Sequence, residues 1–341
     1  MYLSASTGST YSGNFRSDKR HGYGILYHPK FGKYCGYFVD DMKWGDGSLI
    51  LNDASTYIGG FVNNLFHGKG TLCERDGRTY VGHWKDGKRE GEGIEVYLSG
   101  QVYVGMHKDG LRHGDLGTML ERSGGKVIYS GGFCKGLYHG EGKLVQRLLA
   151  DPADMAAGGG KPSHVNDRGE ENGKVVEYEG SFVGGQLYGY GVLRSEADGV
   201  VYKGNWDKNR PSGKKWRIEY HDGSIYSGTA KHLGSQPSTA HKYPLSTGIP
   251  SDSNDEENTV TLLSIHQQAG GLKPDGFGTM KYACGDVYVG TFVAGKREEE
   301  GQCMFANGDK WEGEWLEDRP NMDGAGTLTL ADGTVQQYSP K

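Results

Sequence analysis

Hydrophobic residues are scarce: they make up 35% of the 341 residues, and no run of them approaches the roughly 18 that a membrane-crossing helix needs. That excludes a helical transmembrane anchor and leaves too little apolar side chain for a conventional core. The opening residues MYLSASTGST have neither the basic start nor the apolar run of a signal peptide, so a soluble, cytoplasmic protein is expected. The five cysteines (Cys35, Cys73, Cys134, Cys284, Cys303) are odd in number and far apart, which argues for reduced thiols and against a disulfide framework or metal site. Positive charge is not in excess either, with 38 Lys and Arg against 43 Asp and Glu and a net charge of −5. A basic stripe for nucleic acid is therefore missing, as is the dominant cationic surface that an acidic membrane attracts. Signatures of catalysis are missing too: there is no GxxxxGK(S/T), no GxGxxG between strand and helix, and no GxSxG or HExxH. The chain is expected not to be an enzyme and to carry no catalytic residue, cofactor or metal.

What the chain has instead is glycine and tyrosine, 59 and 22 of them, and they are periodic. A pattern YxGx(F/W) returns about every 23 residues, anchored by Tyr11, Tyr34, Tyr57, Tyr80, Tyr103, Tyr129, Tyr178, Tyr202, Tyr226 and Tyr288, with Trp311 in the last unit. Glycine follows two residues after all eleven anchors, and an aromatic four residues after nine, His107 and Ala230 being the exceptions. A second signature closes each unit, as in HGYGIL (21–26), HGKGTL (67–72) and HGEGKL (139–144). A period of this length marks a solenoid or array.

Alternation within the unit is that of β-strands. Tyr57, Gly59 and Phe61 share one face, Ile58 and Gly60 the other, and residues 62–67 are long enough for a turn. Glycines on the same face as the aromatics fit rings lying over bare backbone. Each unit is thus read as a hairpin, stable only when stacked on the next. Eleven hairpins at ~4.8 Å per strand give an array roughly 100 Å long, an all-β, elongated, twisted and curved antiparallel sheet. Turns between units carry DG or NG, as in ERDGRTY (74–80) and FANGDKW (305–311), the favoured hairpin dipeptides.

Two segments interrupt the repeat, and both read as hairpin-loop insertions with the composition of disordered loops. The chain divides into 1–145 (units one to six), an insertion at 146–175, then 176–231 (units seven, eight and the first half of nine). A second insertion, acidic and Ser-rich, occupies 232–272, and 273–341 holds the remainder. Within the second insertion TVTLLSIHQ (259–267) alternates enough for a short strand, and Ser253 precedes a solvated acidic run. His21, His67, His113 and His139 fall at equivalent points of separate units, too far apart for one metal ion, and are expected to bond turn backbone.

These residues resemble the MORN (membrane occupation and recognition nexus) repeat family over about four fifths of the chain. Departures are Trp44 in the second unit, the extra residue of HGDLGTM in the fifth, PSGKKW in the eighth, Glu298 and Glu299 in the tenth, and the split ninth unit. The resemblance implies a non-catalytic scaffold that binds cytoskeletal or axonemal proteins, located on the cytoskeleton or in a cilium or flagellum as in radial spokes or collars. It also implies pairing of two copies through terminal units. The alternative is a peripheral phosphoinositide-binding module, with phospholipid binding kept weak by the acidic residues interleaved among the basic loop residues. The candidate partner site is the aromatic face, Tyr57, Phe61, Tyr80, Trp84, Tyr103, Tyr129, Tyr178 and Tyr202, with tyrosine hydroxyls free at its rim.

Overall fold

A computed structural model describes residues 2–4, 8–121, 127–148, 174–196, 198–232, 262, 265 and 271–340. They are nearly all strand and form two compact units that divide between Gly142 and Lys143. The first unit holds β1 (Tyr2–Ser4), β2 (Ser9–Arg16), β3 (Lys19–His28), β4 (Gly32–Val39), β5 (Met42–Ile50), β6 (Thr56–Val62), β7 (Leu65–Cys73), β8 (Thr79–Lys85), β9 (Lys88–Val96), β10 (Val102–Lys108), β11 (Leu111–Leu120) and β12 (Val127–Cys134). The division falls inside β13 (Leu137–Leu148). The second unit continues with β14 (Lys174–Val183), β15 (Gln186–Ser195), β16 (Val201–Asp207), β17 (Arg210–Glu219), β18 (Ile225–His232), β19 (Leu272–Lys281), β20 (Val287–Val293), β21 (Lys296–Met304), β22 (Lys310–Leu316), β23 (Arg319–Pro320), β24 (Gly326–Thr329) and β25 (Val335–Tyr338).

Register follows from one rule, that glycine faces glycine. In the first unit Gly13, Gly24, Gly36, Gly47, Gly59, Gly70, Gly82, Gly93, Gly105, Gly117 and Gly131 pair in succession across β2 to β12. The anchor tyrosines lie over this row. A side chain at Gly70 would collide with the Tyr57 ring and hydroxyl, so only glycine lets the ring settle on the backbone. Each hairpin then bulges just beyond the row: Gly59 pairs with Gly70 but Phe61 with Phe66, so that Gly60 faces three residues. Gly68, the glycine of the His-Gly pair, takes φ +70 there, and that conformation explains why the signature needs it.

The turns differ from the expected ones. Residues 62–67 are not a loop; the reversal needs only Asn63 and Asn64, at φ 48 and 68, the left-handed pair that suits twisted strands. The Asp-Gly segments form wider turns between units, closed from Gly77 N to Glu74 O (3.0 Å) and from Glu74 N to Arg78 O (2.8 Å). Successive tight turns latch together: Lys43 N donates to Asn64 Oδ1 (2.9 Å) and Asn64 N to Lys43 O (3.2 Å). Leu187 with Asn209 and Arg297 with Asp318 repeat the latch in the second unit.

The second unit keeps the glycine row with one break. Gly180, Gly191 and Gly204 pair in order, then Trp216 faces Gly228, and the row resumes through Gly278, Gly290, Gly301, Gly313 and Gly326. The PSGKKW departure thus puts an indole in a glycine slot, where it lies over Gly204 in place of a tyrosine ring. The split ninth unit closes normally, β18 pairing with β19 across the second insertion. The tenth keeps register as well, with Glu299 forced to φ 56 where other units have glycine.

The first insertion lies between β13 and β14, so it separates the sixth and seventh units and is not a loop within a hairpin. Of 259–267, Leu262 and Ile265 are helical and fully buried, and Leu262 N donates to Gln146 Oε1 at 2.6 Å. That corrects the expected strand, because two apolar residues three apart share one side of a helical turn. The rest of that run, Ser253 and the bulk of both insertions lie outside the described residues. Strands β1 and β25 add half-units that the repeat did not signal.

Candidate functional site

The predicted aromatic site is packing. Tyr57, Phe61, Tyr80, Trp84, Tyr103, Tyr129, Tyr178 and Tyr202 are each at most 5% exposed. Tyr57, Tyr80, Tyr103 and Tyr178 are each wedged edge to face between their own unit's ring and the next unit's: Tyr57 lies 5.2 Å from Phe61 and 5.5 Å from Trp84, and Tyr80 lies 5.1 Å from Trp84 and 4.9 Å from His107. The hydroxyls are not free at a rim. Five of them donate to the carbonyl three residues ahead, the one displaced by the bulge: Tyr57 to Gly60 (3.0 Å), Tyr80 to His83 (3.0 Å), Tyr103 to Met106 (2.9 Å), Tyr129 to Gly132 (2.9 Å) and Tyr178 to Ser181 (3.4 Å). Burial pushes the phenols of Tyr57, Tyr80 and Tyr103 up to about 12. A partner would reach these rings only by displacing their neighbours.

One point in this apolar row is polar. On β9 Glu95 occupies the slot filled by Leu26, Leu49 and Leu72 in the preceding units, and on β10 His107 occupies the slot of Phe61 and Trp84. Both are buried. Arg89 Nη1 donates to Glu95 Oε1, Tyr97 Oη donates to Glu95 Oε2 at 2.7 Å, and His107 Nε2 is 3.6 Å from the same oxygen. Arg89 also reaches Glu74 (3.0 Å), and Arg112 reaches Tyr97 Oη (3.2 Å) and Gly136 O (2.8 Å). Burial alone would raise the Glu95 carboxyl, yet His107, Arg89 and Tyr97 hold it down to about 2. Glu95 and His107 at its centre are closed to solvent, so the cluster acts on the stability of the sheet. The signature histidines are placed differently again: His21 Nδ1 lies 3.5 Å from Asp40 and His67 Nδ1 3.7 Å from Asp86, side chains of the adjoining tight turns and not turn backbone.

The accessible chemistry is on the other face. There the first unit presents, in register, Ile25, Cys35, Ser48, Ile58, Thr71, Val81, Ile94, Val104 and Thr118. Equivalent positions of the second unit carry Glu179, Val192, Lys203, Arg217, Ser227, Thr279, Val289, Gln302 and Glu312. That polar face is tied by ion pairs, Lys203–Glu219 (2.7 Å), Arg217–Glu219 (2.8 Å), Arg194–Glu179 (3.3 Å) and Lys310–Glu312 (2.8 Å). In the first unit the apolar residues stand exposed, and a groove of about 680 Å³ runs among Thr71, Val81, His83, Ile94, Met106 and Leu116. Leu116 is the extra residue of HGDLGTM. The row requires Gly105 to face Gly117 and Gly117 to face Gly131, so the surplus residue is extruded into the bulge, where it is 79% exposed. Sequence reading missed this face, although the residue directly after several anchors signals it: Ile58, Val81 and Val104 in the first unit, against Glu179, Lys203 and, after Trp311, Glu312 in the second.

A family profile described as MORN repeat matches residues 11–32, 34–56, 57–77, 80–102, 129–146, 178–197, 288–310 and 311–335, together just over half of the chain. No curated protein matches the sequence. Among solved structures the chain is similar to the TCP domain of SAS-4 (dCPAP) of Drosophila melanogaster, solved with a proline-rich motif of Ana2. Identity is 6%, coverage 86% of this chain and 89% of that one, and the TM-score 0.22. The wild-type TCP10 domain of Danio rerio CPAP matches at 8% identity over 86% and 94% of the two chains, with a TM-score of 0.26. Likeness at such scores carries no inference about this chain.

Proposed function

Since the chain belongs to the MORN repeat family, we propose that it is a non-catalytic scaffold holding protein partners, cytoplasmic and stationed on the cytoskeleton, with the ciliary or flagellar axoneme as its setting. The observation that supports this reading is the contrast between equivalent faces. One repeat architecture carries ion pairs beside the scattered exposed rings Tyr190 and Phe277 in the second unit, and a run of exposed aliphatic residues, Ile58, Val81, Ile94 and Val104, in the first. Contiguous exposed apolar surface marks interaction sites in soluble proteins. Proximity labelling in the source cell tests the reading, comparing the native chain with Ile58→Asp/Val81→Asp/Ile94→Asp. Loss of a defined set of cytoskeletal proteins from the variant supports the scaffold, and an unchanged labelling pattern refutes it.

A further inference from the structure

Resting on that scaffold reading, the geometry points to an amphipathic helix of a protein partner as the occupant of the first unit's groove, lying across the strands and anchored by Leu116. The first argument is pitch. Val81, Ile94 and Val104 come from the successive strands β8, β9 and β10 and so repeat at ~4.8 Å. A helix presents one residue per turn every ~5.4 Å along its axis. An extended segment presents same-side residues only every ~6.6 Å, twice the strand rise, and falls out of step within three strands.

Backbone chemistry gives the second argument. Strands β7, β8, β9 and β10 are each hydrogen-bonded on both sides, so an extended segment over the groove finds no free edge to augment. Recognition there must run through side chains, which a helix supplies with its own backbone already satisfied. Charge gives the third. Lys69 on β7 and Glu92 on β9 line the groove two strands apart, ~10 Å by strand spacing, against ~10.8 Å for two helical turns. The helix therefore carries an acidic residue facing Lys69 and, about two turns on, a basic residue facing Glu92. Leu116 projects from the bulge at the end of this run, an exposed apolar side chain whose burial by a partner is favourable.

The test uses the full-length chain and, as probe, a library of randomised 20-residue peptides selected for binding to it. Enriched peptides should space apolar residues three and four apart and gain helical circular dichroism on binding. They should bind Leu116→Asp at least ~30-fold more weakly, the loss typical of an interface anchor, and Leu116→Ala more weakly as well. Because Leu116 is exposed, both variants fold as the parent does; Phe277→Asp, exposed in the second unit, serves as a control that leaves binding unchanged. Enriched peptides with alternating apolar residues, or binding indifferent to Leu116→Asp, overturn the helix. Sedimentation with phosphatidylcholine vesicles containing a phosphoinositide, lost in Leu116→Asp, overturns it in favour of a membrane. If the labelling experiment supports the scaffold while the peptides prove extended, only the helix fails; if labelling is unchanged in the triple variant, the scaffold reading itself falls.

Discussion

The Glu95 carboxylate and the His107 imidazole lie 3.6 Å apart inside the sheet, each in a slot that the neighbouring units fill with an apolar side chain. In sequence these are two unrelated departures, twelve residues apart; in space they are one substitution. Tyr103 is the hinge between them, since it pairs directly with Glu95 and stacks edge to face on His107 at 5.1 Å. A buried charge is tolerable only with its partners present, and Glu95 has His107 beside it together with Arg89 and Tyr97.

Replacing Glu95 by Leu restores the repeat there but takes the carboxylate away from His107, Arg89 and Tyr97, whereas replacing His107 by Phe removes one of the three groups around a Glu95 that Arg89 and Tyr97 still hold. Each single change should destabilise by about 1–3 kcal/mol. The double variant should recover most of the loss, giving a coupling energy of about 1–3 kcal/mol in a double-mutant cycle read from urea unfolding. Strictly additive losses would show that the two residues do not cooperate.

The same carboxylate sets an acid limit. Its folded value, about 2, lies below the unfolded value near 4.3. Its contribution is therefore complete above about pH 5 and disappears as pH falls through 4 toward 2, amounting to about 3 kcal/mol at most. Unfolding measured from pH 6 to 2 should show a steeper acid loss in the parent than in Glu95→Gln, and parallel curves would remove Glu95 from the account.

Tyr80→Phe deletes only a hydroxyl, but that hydroxyl satisfies the His83 carbonyl at the bulge. The variant should lose about 1–2 kcal/mol, whereas Tyr23→Phe on the exposed face should change stability by less than ~0.5 kcal/mol. Equal melting temperatures for the two variants would mean that the bulge carbonyls find other partners.

At Glu299 the tenth unit holds a side chain at φ 56 where Gly68 and Gly91 serve elsewhere at φ 70 and 74. Glu299→Gly should stabilise by about 1 kcal/mol by releasing that strain. Gly68→Ala should cost a similar amount. Thermal denaturation of both variants decides it, and a destabilised Glu299→Gly would count against strain at this position.

Much of the fold was legible because ring-on-glycine packing has no substitute at the anchor positions, so Tyr57, Gly59 and Gly70 repeat almost without variation. Even the split ninth unit pairs as its motifs indicate. Turn geometry was less legible. Asn63-Asn64 closes a two-residue reversal as well as any Asn-Gly does, because asparagine tolerates the left-handed region, and composition alone suggested a longer loop. The site was misplaced for a physical reason: the conspicuous aromatics are conspicuous because the core needs them, while the residues left for recognition are those that vary between units, as Val81 and Lys203 do at equivalent positions. Leu116 was visible as an extra residue, but that the glycine row would force it outward follows only from knowing the register.

The glycine row also sets how such a chain can lengthen. A copied stretch of 23 residues arrives with its tyrosine, its glycines and its ring already fitted to both neighbours, and a long insertion between β18 and β19 leaves the register untouched. A single added residue has no such exemption: it is pushed into solvent, as at Leu116, or the vacated place is taken by a new side chain, as at Trp216. Inheritance by duplication is thus nearly silent in this architecture, and individuality enters through the miscounts.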